Sequence, residues 1–124
     1  MLLDTAAFLW GAGTPGLLSK RAAPLFQDLG IVMHLSSISI SEIAIKQSKG
    51  NLNFNSDDVR KGIVNLRAQI LSYTDLHAHR MFGLPLHHKD PFDRQIIAQA
   101  LSETMPVVMP DRLFQLYVGI EVIW

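Results

Sequence analysis

Five short apolar runs, each separated from the next by a helical segment, limit what this chain can fold into. They are MLL (1–3), IVMHLSS (31–37), ILSYTDL (70–76), PVVM (106–109) and EVIW (121–124). Short runs of this kind, rich in branched residues, read as buried strands. Between the first two, TAAFLWGAG gives one or two helical turns stopped by Gly13-Thr14-Pro15-Gly16, and Ser19-Lys20-Arg21-Ala22 opens a helix to about Gly30. SISISEIAIKQSKG is helical after its first residues and ends at Gly50, and Ser56-Asp57-Asp58 opens another helix through about Gln69. HAHRMFGL forms a brief helix, the segment from DPF runs helical to about Thr104, and RLFQLY makes a turn or two. Strands that alternate with helices need crossover connections, which build a mainly parallel sheet covered on both faces. The expected fold is α/β, a three-layer α/β/α sandwich in a single domain over residues 1–124.

The chemistry is bounded by what the composition lacks. Lys plus Arg number 11 and Asp plus Glu number 11, so any binding to nucleic acid must rest on a local patch rather than on global charge. With no cysteine, disulfides, thiol catalysis and cysteine-based zinc sites are excluded. Asp4 interrupts the first apolar run with no basic region ahead of it, and no run approaches the roughly 18 residues of a membrane span. A cytoplasmic domain without membrane contact is expected.

In a parallel α/β sheet, ligands collect beyond the carboxyl ends of the strands, and four acids fall there. Asp4 follows MLL, Asp111 follows PVVM and Pro110, and Glu42 and Asp93 lie in the first turns of helices. Three of them have a purely structural alternative. Ser39-Ile40-Ser41-Glu42 matches a capping box with Ser39 as N-cap and Glu42 at N3. Asp90-Pro91-Phe92-Asp93 has the same form, with Asp90 as N-cap and Pro91 at N1, and Asp111 could cap RLFQLY. Asp4 could cap the first helix but has no capping-box partner. Asp93 also heads the stripe Ile96, Ile97, Ala100 and Leu101, so it points inward, and Glu42 shares a face with Ile38, Ile45 and Lys46. Inward carboxylates need compensation. Several of them, with few matching inward cations, imply a divalent metal held by oxygen, Mg²⁺ or Mn²⁺. Such a site activates water against a phosphoryl group.

Taken in order, LLDTAAFLW, LSKRA, SEIAIKQSKGNL, LPLHHKDPFDRQIIAQA, PDRLFQLY and VIW resemble a PIN-domain ribonuclease, specifically a VapC-type toxin of a toxin–antitoxin pair. The resemblance implies an α/β/α sandwich and a Mg²⁺- or Mn²⁺-dependent endoribonuclease with a metal in an acidic pocket. By motif, that pocket is Asp4 in LLDT, Glu42 in SEIAIK, Asp93 in DPFDR and Asp111 in PDRLF. Asp4 and Asp93 would be direct or water-bridged ligands, Glu42 would complete the site or orient the water, and Asp111 is the weakest candidate. It further implies an RNA substrate, a homodimer, and a VapB-type antitoxin whose C-terminal segment lies in or near the active groove. The chain departs from related toxins at Ala6, where LLDTH is common, and at Met109, where a Thr or Ser is common.

Neighbouring residues have two readings each. Lys46 pairs with Glu42 one turn away or contacts phosphate; Arg94 and Arg112 are solvated or contact the RNA backbone. Thr5 supports the metal site or the helix start. His87, His88 and His77-x-His79 lack the i, i+4 spacing of a zinc helix and carry the least weight. Trp10 and Phe8 are core residues, and Phe82, Leu84 and Leu86 pack against neighbours or a dimer partner. Two other functions compete. A phosphoaspartate-forming phosphatase would want a second Asp where Ala6 stands, and a catalytically degenerate PIN fold would act only as an antitoxin- or partner-binding module.

Overall fold

The computed structural model describes all 124 residues. Strands β1 (Leu2–Leu3), β2 (His34–Ser36), β3 (Gln69–Leu71), β4 (Val107–Val108) and β5 (Val122–Ile123) form one sheet in the order β3-β2-β1-β4-β5. Every neighbouring pair is parallel, with Leu3 opposite both Leu35 and Val108. The helices are α1 (Thr5–Gly13), α2 (Ala23–Gln27), α3 (Ser37–Ser48), α4 (Ser56–Asn65), α5 (Asp75–Arg80) and α6 (Pro91–Glu103). Short 3₁₀ turns occupy Pro15–Leu17, Met81–Gly83 and Arg112–Leu116.

The two-residue period of a strand sends successive side chains to opposite faces. Leu2 and Val107 join Ile96, Ile97, Ala100, Met109, Phe114 and Tyr117 in one buried cluster. Leu3 and Val108 join Ala7, Phe8, Leu35, Ile43 and Val59 in the other. The sheet is thus covered on both sides, as the alternating pattern predicts. Gln99 is the fully buried polar residue of α6, and it ties that helix to the strand ends. Its carboxamide oxygen accepts from the Ser36 hydroxyl and its Nε2 donates to the Leu71 carbonyl at 3.4 Å.

Element edges depart from expectation for identifiable reasons. α3 starts at Ser37 because Ser36, at the end of β2, supplies the cap: its Oγ accepts from the Ile38 N–H at 3.0 Å. The expected Ser39–Glu42 capping box therefore does not form; both residues lie inside the helix and are buried. β3 ends at Leu71 and α5 begins at Asp75, since Thr74 caps that helix with His77 at N3, whose Nδ1 accepts from the Thr74 N–H. α2 is confined to five residues.

From β1 the chain builds outward to β2 and β3, then returns to place β4 on the other side. The strand order therefore switches direction between β1 and β4, which in open parallel sheets opens a crevice at the carboxyl edge. Asp4 follows β1 and Asp111 follows β4, so the two flank that switch point.

A candidate metal centre at the carboxyl edge of the sheet

Asp4 stands at the N-cap of α1, where its Oδ1 accepts from the Ala7 N–H at 2.7 Å. The side chain does cap the helix, without a capping-box partner. Only 5% of Asp4 is exposed, and no cation pairs with it. Burial first, then the charges of Asp93, Glu42 and Asp111, push its carboxyl up to about 8 against the opposing Ala7 hydrogen bond. A carboxylate in that position either holds a proton or faces a cation.

Glu42 lies in the second turn of α3, and both its oxygens are occupied. Oε1 accepts from the Thr5 hydroxyl at 2.8 Å, and Oε2 meets Lys46 Nζ at 2.5 Å. The Glu42 carboxylate in turn holds the Lys46 ammonium above its ordinary value, although about half of the lysine side chain is exposed. Thr5 is buried and its Oγ1 also lies 3.0 Å from Ser39 Oγ.

Asp90 caps α6 as the sequence predicts: its Oδ1 accepts from the N–H groups of Phe92 and Asp93 at 2.9 and 3.1 Å, with Pro91 in the first turn. Asp93 sits at N3, half-buried. Burial is the largest influence on it, the Asp90, Glu42 and Asp111 carboxylates add to it, and the carboxyl rises to about 6 despite His88. Asp111 caps the last 3₁₀ turn, with Oδ1 accepting from the Leu113 N–H at 2.9 Å. Partial burial would raise it, but the Leu113 N–H and His88 outweigh that and hold it below its ordinary value.

Between these last two acids lies a histidine. His88 is 8% exposed, and its Nε2 stands 2.7 Å from Asp111 Oδ2 and 3.2 Å from Asp93 Oδ2. The fold thus brings one of the histidines of least expected weight between two of the acids. Helical spacing does not govern this position, because residues 87–90 are not helical. The usable signal was position: two residues before an Asp-Pro helix start, a side chain can fold back on the first turn.

A family model for the PIN domain matches residues 1–118 of this chain. The chain belongs to the PIN domain family. Its fold also matches solved structures. The crystal structure of VapBC2 from Rickettsia felis bound to a DNA fragment from its promoter shares 16% identity, covering 98% of this chain and 95% of that one, with a TM-score of 0.70. DNA-bound VapBC from Salmonella typhimurium shares 20% identity over 98% and 94%, with a TM-score of 0.68. VapBC-5 from Mycobacterium tuberculosis shares 17% over 98% and 94%, with a TM-score of 0.55. No curated protein matches this chain.

Within this PIN domain the remaining expectations resolve individually. Arg94 is part-buried and its guanidinium is hydrogen-bonded within the chain. Its Nη1 donates to the carbonyls of Pro85 and His88 and to Tyr117 Oη, and its Nη2 donates to the Leu84 carbonyl. Arg112 is exposed. His77 is a buried structural residue whose Nε2 meets Glu103 at 2.7 Å. Met109 is 1% exposed in the core, so no hydroxyl reaches Asp111 from there. Phe8 is fully buried, and Trp10 packs against Trp124 at 5.5 Å. Inward donors are less scarce than expected, since the Lys46 ammonium and the His88 ring both reach the acids. The donor set still fits a hard divalent cation: carboxylate oxygens, among them the buried Asp4 with no cation of its own. No helix is long and apolar enough to cross a membrane.

Proposed function

We propose that this PIN domain is the metal-dependent endoribonuclease toxin of a toxin–antitoxin pair, with Asp4, Glu42, Asp93 and Asp111 as its acidic centre. The observation that carries the proposal is Asp4: a buried carboxylate at the β1–β4 switch point, acted on by three further acids and paired with no cation. Asp4 and Asp93 would hold Mg²⁺ or Mn²⁺, with Asp111 beside them and Glu42 oriented by Thr5 and Lys46. When bound, the cation supplies Lewis acidity and a more acidic water. In the hydrolysis, a water oxygen would bond to phosphorus as the P–O3′ bond breaks and a proton passes to O3′, leaving a 5′-phosphate and a 3′-hydroxyl. Lys46, half-exposed, and Arg112, exposed, would meet phosphates of the RNA substrate.

The likeness to VapBC complexes supports a VapB-type antitoxin as partner, and Phe82 and Leu86, 90% and 72% exposed, support a homodimer. Leu84 is buried within the chain and serves the core instead. A cytoplasmic setting accompanies this function.

The test is cleavage of a mixed RNA pool with Mn²⁺ or Mg²⁺ by the wild type, Asp4→Asn and Asp93→Asn. Cleavage that all three share, or none shows, would sink the nuclease. One observation favours a second possibility, a PIN fold that only binds its antitoxin: Glu42, Asp93 and Asp111 each already engage a donor of this chain. Antitoxin binding without any metal-dependent cleavage would be its signature.

A further inference from the structure

Nε2 of His88 and one oxygen each from Asp93 and Asp111 lie within 4.8 Å of one another, close enough to form a three-ligand metal cluster. The hydrogen bonds of the ring speak against that use. We propose that His88 is a positioning residue, a fixed N–H donor that orients Asp111 beside Asp93, and that it does not coordinate the cation. The inference rests on the metal-dependent reading of the acidic centre given above.

A neutral imidazole has one N–H and one lone pair. The Asp90 backbone N–H donates to His88 Nδ1 at 3.0 Å, which uses the lone pair. The ring proton is therefore on Nε2, the atom that faces both carboxylates. Coordination through Nε2 would need a second lone pair on the same ring, so it would require breaking the bond to Asp90. That bond is well defended. Asp90 is the N-cap of α6 and Pro91 fixes the turn after it. The His88 N–H donates to Tyr117 Oη at 2.9 Å, its carbonyl accepts from Arg94, and its ring stands edge-on to Phe114 at 5.7 Å. The two backbone bonds fix the main chain of His88, and a swing of the ring would give up the Phe114 packing and the bond from the Asp90 N–H.

The arrangement does something the acids cannot do alone. Asp93 comes from α6 and Asp111 from the segment after β4, and two carboxylates side by side repel. The Nε2–H donates to Asp111 Oδ2 at 2.7 Å and stands 3.2 Å from Asp93 Oδ2, so it fixes one carboxylate and softens the repulsion from the other, and it spends little acceptor capacity, since a carboxylate has about four lone-pair sites. Their remaining oxygen lone pairs stay available for a cation.

Three measurements on Mn²⁺ binding and on the metal-free protein test this. In the metal-free wild type, nitrogen NMR should find the His88 proton on Nε2 and none on Nδ1. In the Mn²⁺-loaded wild type, pulsed EPR should detect no nitrogen bonded to manganese. His88→Gln, which keeps an N–H donor, should retain most of the Mn²⁺ affinity, whereas His88→Leu should lose roughly 10- to 100-fold. A proton on Nδ1, a manganese-bound nitrogen, or a Gln variant as weak as the Leu variant would each overturn the positioning role. The two spectroscopic arms use the wild type, so they decide the matter even if a variant misfolds. A wild type that binds Mn²⁺ no better than Asp93→Asn would instead overturn the metal centre itself, and the positioning role with it.

Discussion

The Thr5 hydroxyl donates to Glu42 Oε1 at 2.8 Å, joining the first turn of α1 to the second turn of α3 across 37 residues of sequence. Both groups are buried, and the bond ends on a carboxylate. Hydrogen bonds to charged groups contribute about 1.5–3 kcal/mol, and a buried carboxylate left short of a donor is costly. Thr5→Val keeps the shape and removes the donor, so it should destabilise the fold by about 2 kcal/mol. Thr5→Ser should recover most of that. Denaturant midpoints at constant m-value check it, and a Val variant as stable as the wild type would show that the contact is dispensable.

The acidic centre should make the metal-free protein more stable as pH falls. Burial, with neighbouring acids, raises Asp4 to about 8 and Asp93 to about 6 from an unfolded value of 3.8. Between those values the folded state binds protons that the unfolded state has released. The penalty is thus absent below 3.8, grows as pH rises, and is complete for Asp93 above about 6 and for Asp4 above about 8. Thermal melts of metal-free protein should show the melting temperature rising from pH 8.5 to 5.5, with a shallower rise in Asp4→Asn. A divalent cation favours the ionised carboxylates, so its affinity should increase as pH rises through the same window. A flat metal-free profile would contradict the raised values.

How far the site was legible follows from which constraints are local. Asp90 and Asp111 were readable as caps because a cap is set by neighbours within three residues, and both hydrogen-bond as expected. The parallel sheet followed from alternating runs, and with it the placement of Asp4 and Asp111 at one edge. The Ser39–Glu42 box failed because Ser36 competes for the same helix start and Thr5, distant in sequence, draws Glu42 inward. The surroundings of His88 and Arg94 are illegible in the sequence for a similar reason. Each is defined by partners brought together only in the fold, Asp111 and Tyr117 above all.

Gly62 offers a test of the packing that supports α1. In an exposed helix, Gly to Ala is stabilising by nearly 1 kcal/mol. Here a Cβ would stand 2.9 Å from both Ala12 Cβ and Phe8 Cζ, and the Phe8 ring is fully buried with Phe54 edge-on at 6.3 Å. Overpacking costs of about 1–3 kcal/mol exceed the propensity gain. Gly62→Ala should therefore lower the denaturant midpoint, and Ala12→Gly in the same chain should relieve part of the loss. A more stable Gly62→Ala would mean that Phe8 can move aside.

Arg94 separates a structural cation from an RNA-binding one. Its guanidinium donates to three backbone carbonyls and to Tyr117 Oη, the same hydroxyl that accepts from the His88 N–H. A lysine cannot reproduce that fan of donors, so Arg94→Lys should cost about 2 kcal/mol despite the retained charge. Because those donors are already engaged, the variant should leave the salt dependence of RNA binding unchanged. Arg112 is exposed and should behave in the opposite way. Arg112→Gln should scarcely alter stability, yet reduce the slope of log affinity against log salt by about 0.7 if it neutralises one phosphate of single-stranded RNA. Parallel urea melts and salt titrations of the two variants check both, and a reduced slope for Arg94→Lys would place that arginine on the RNA after all.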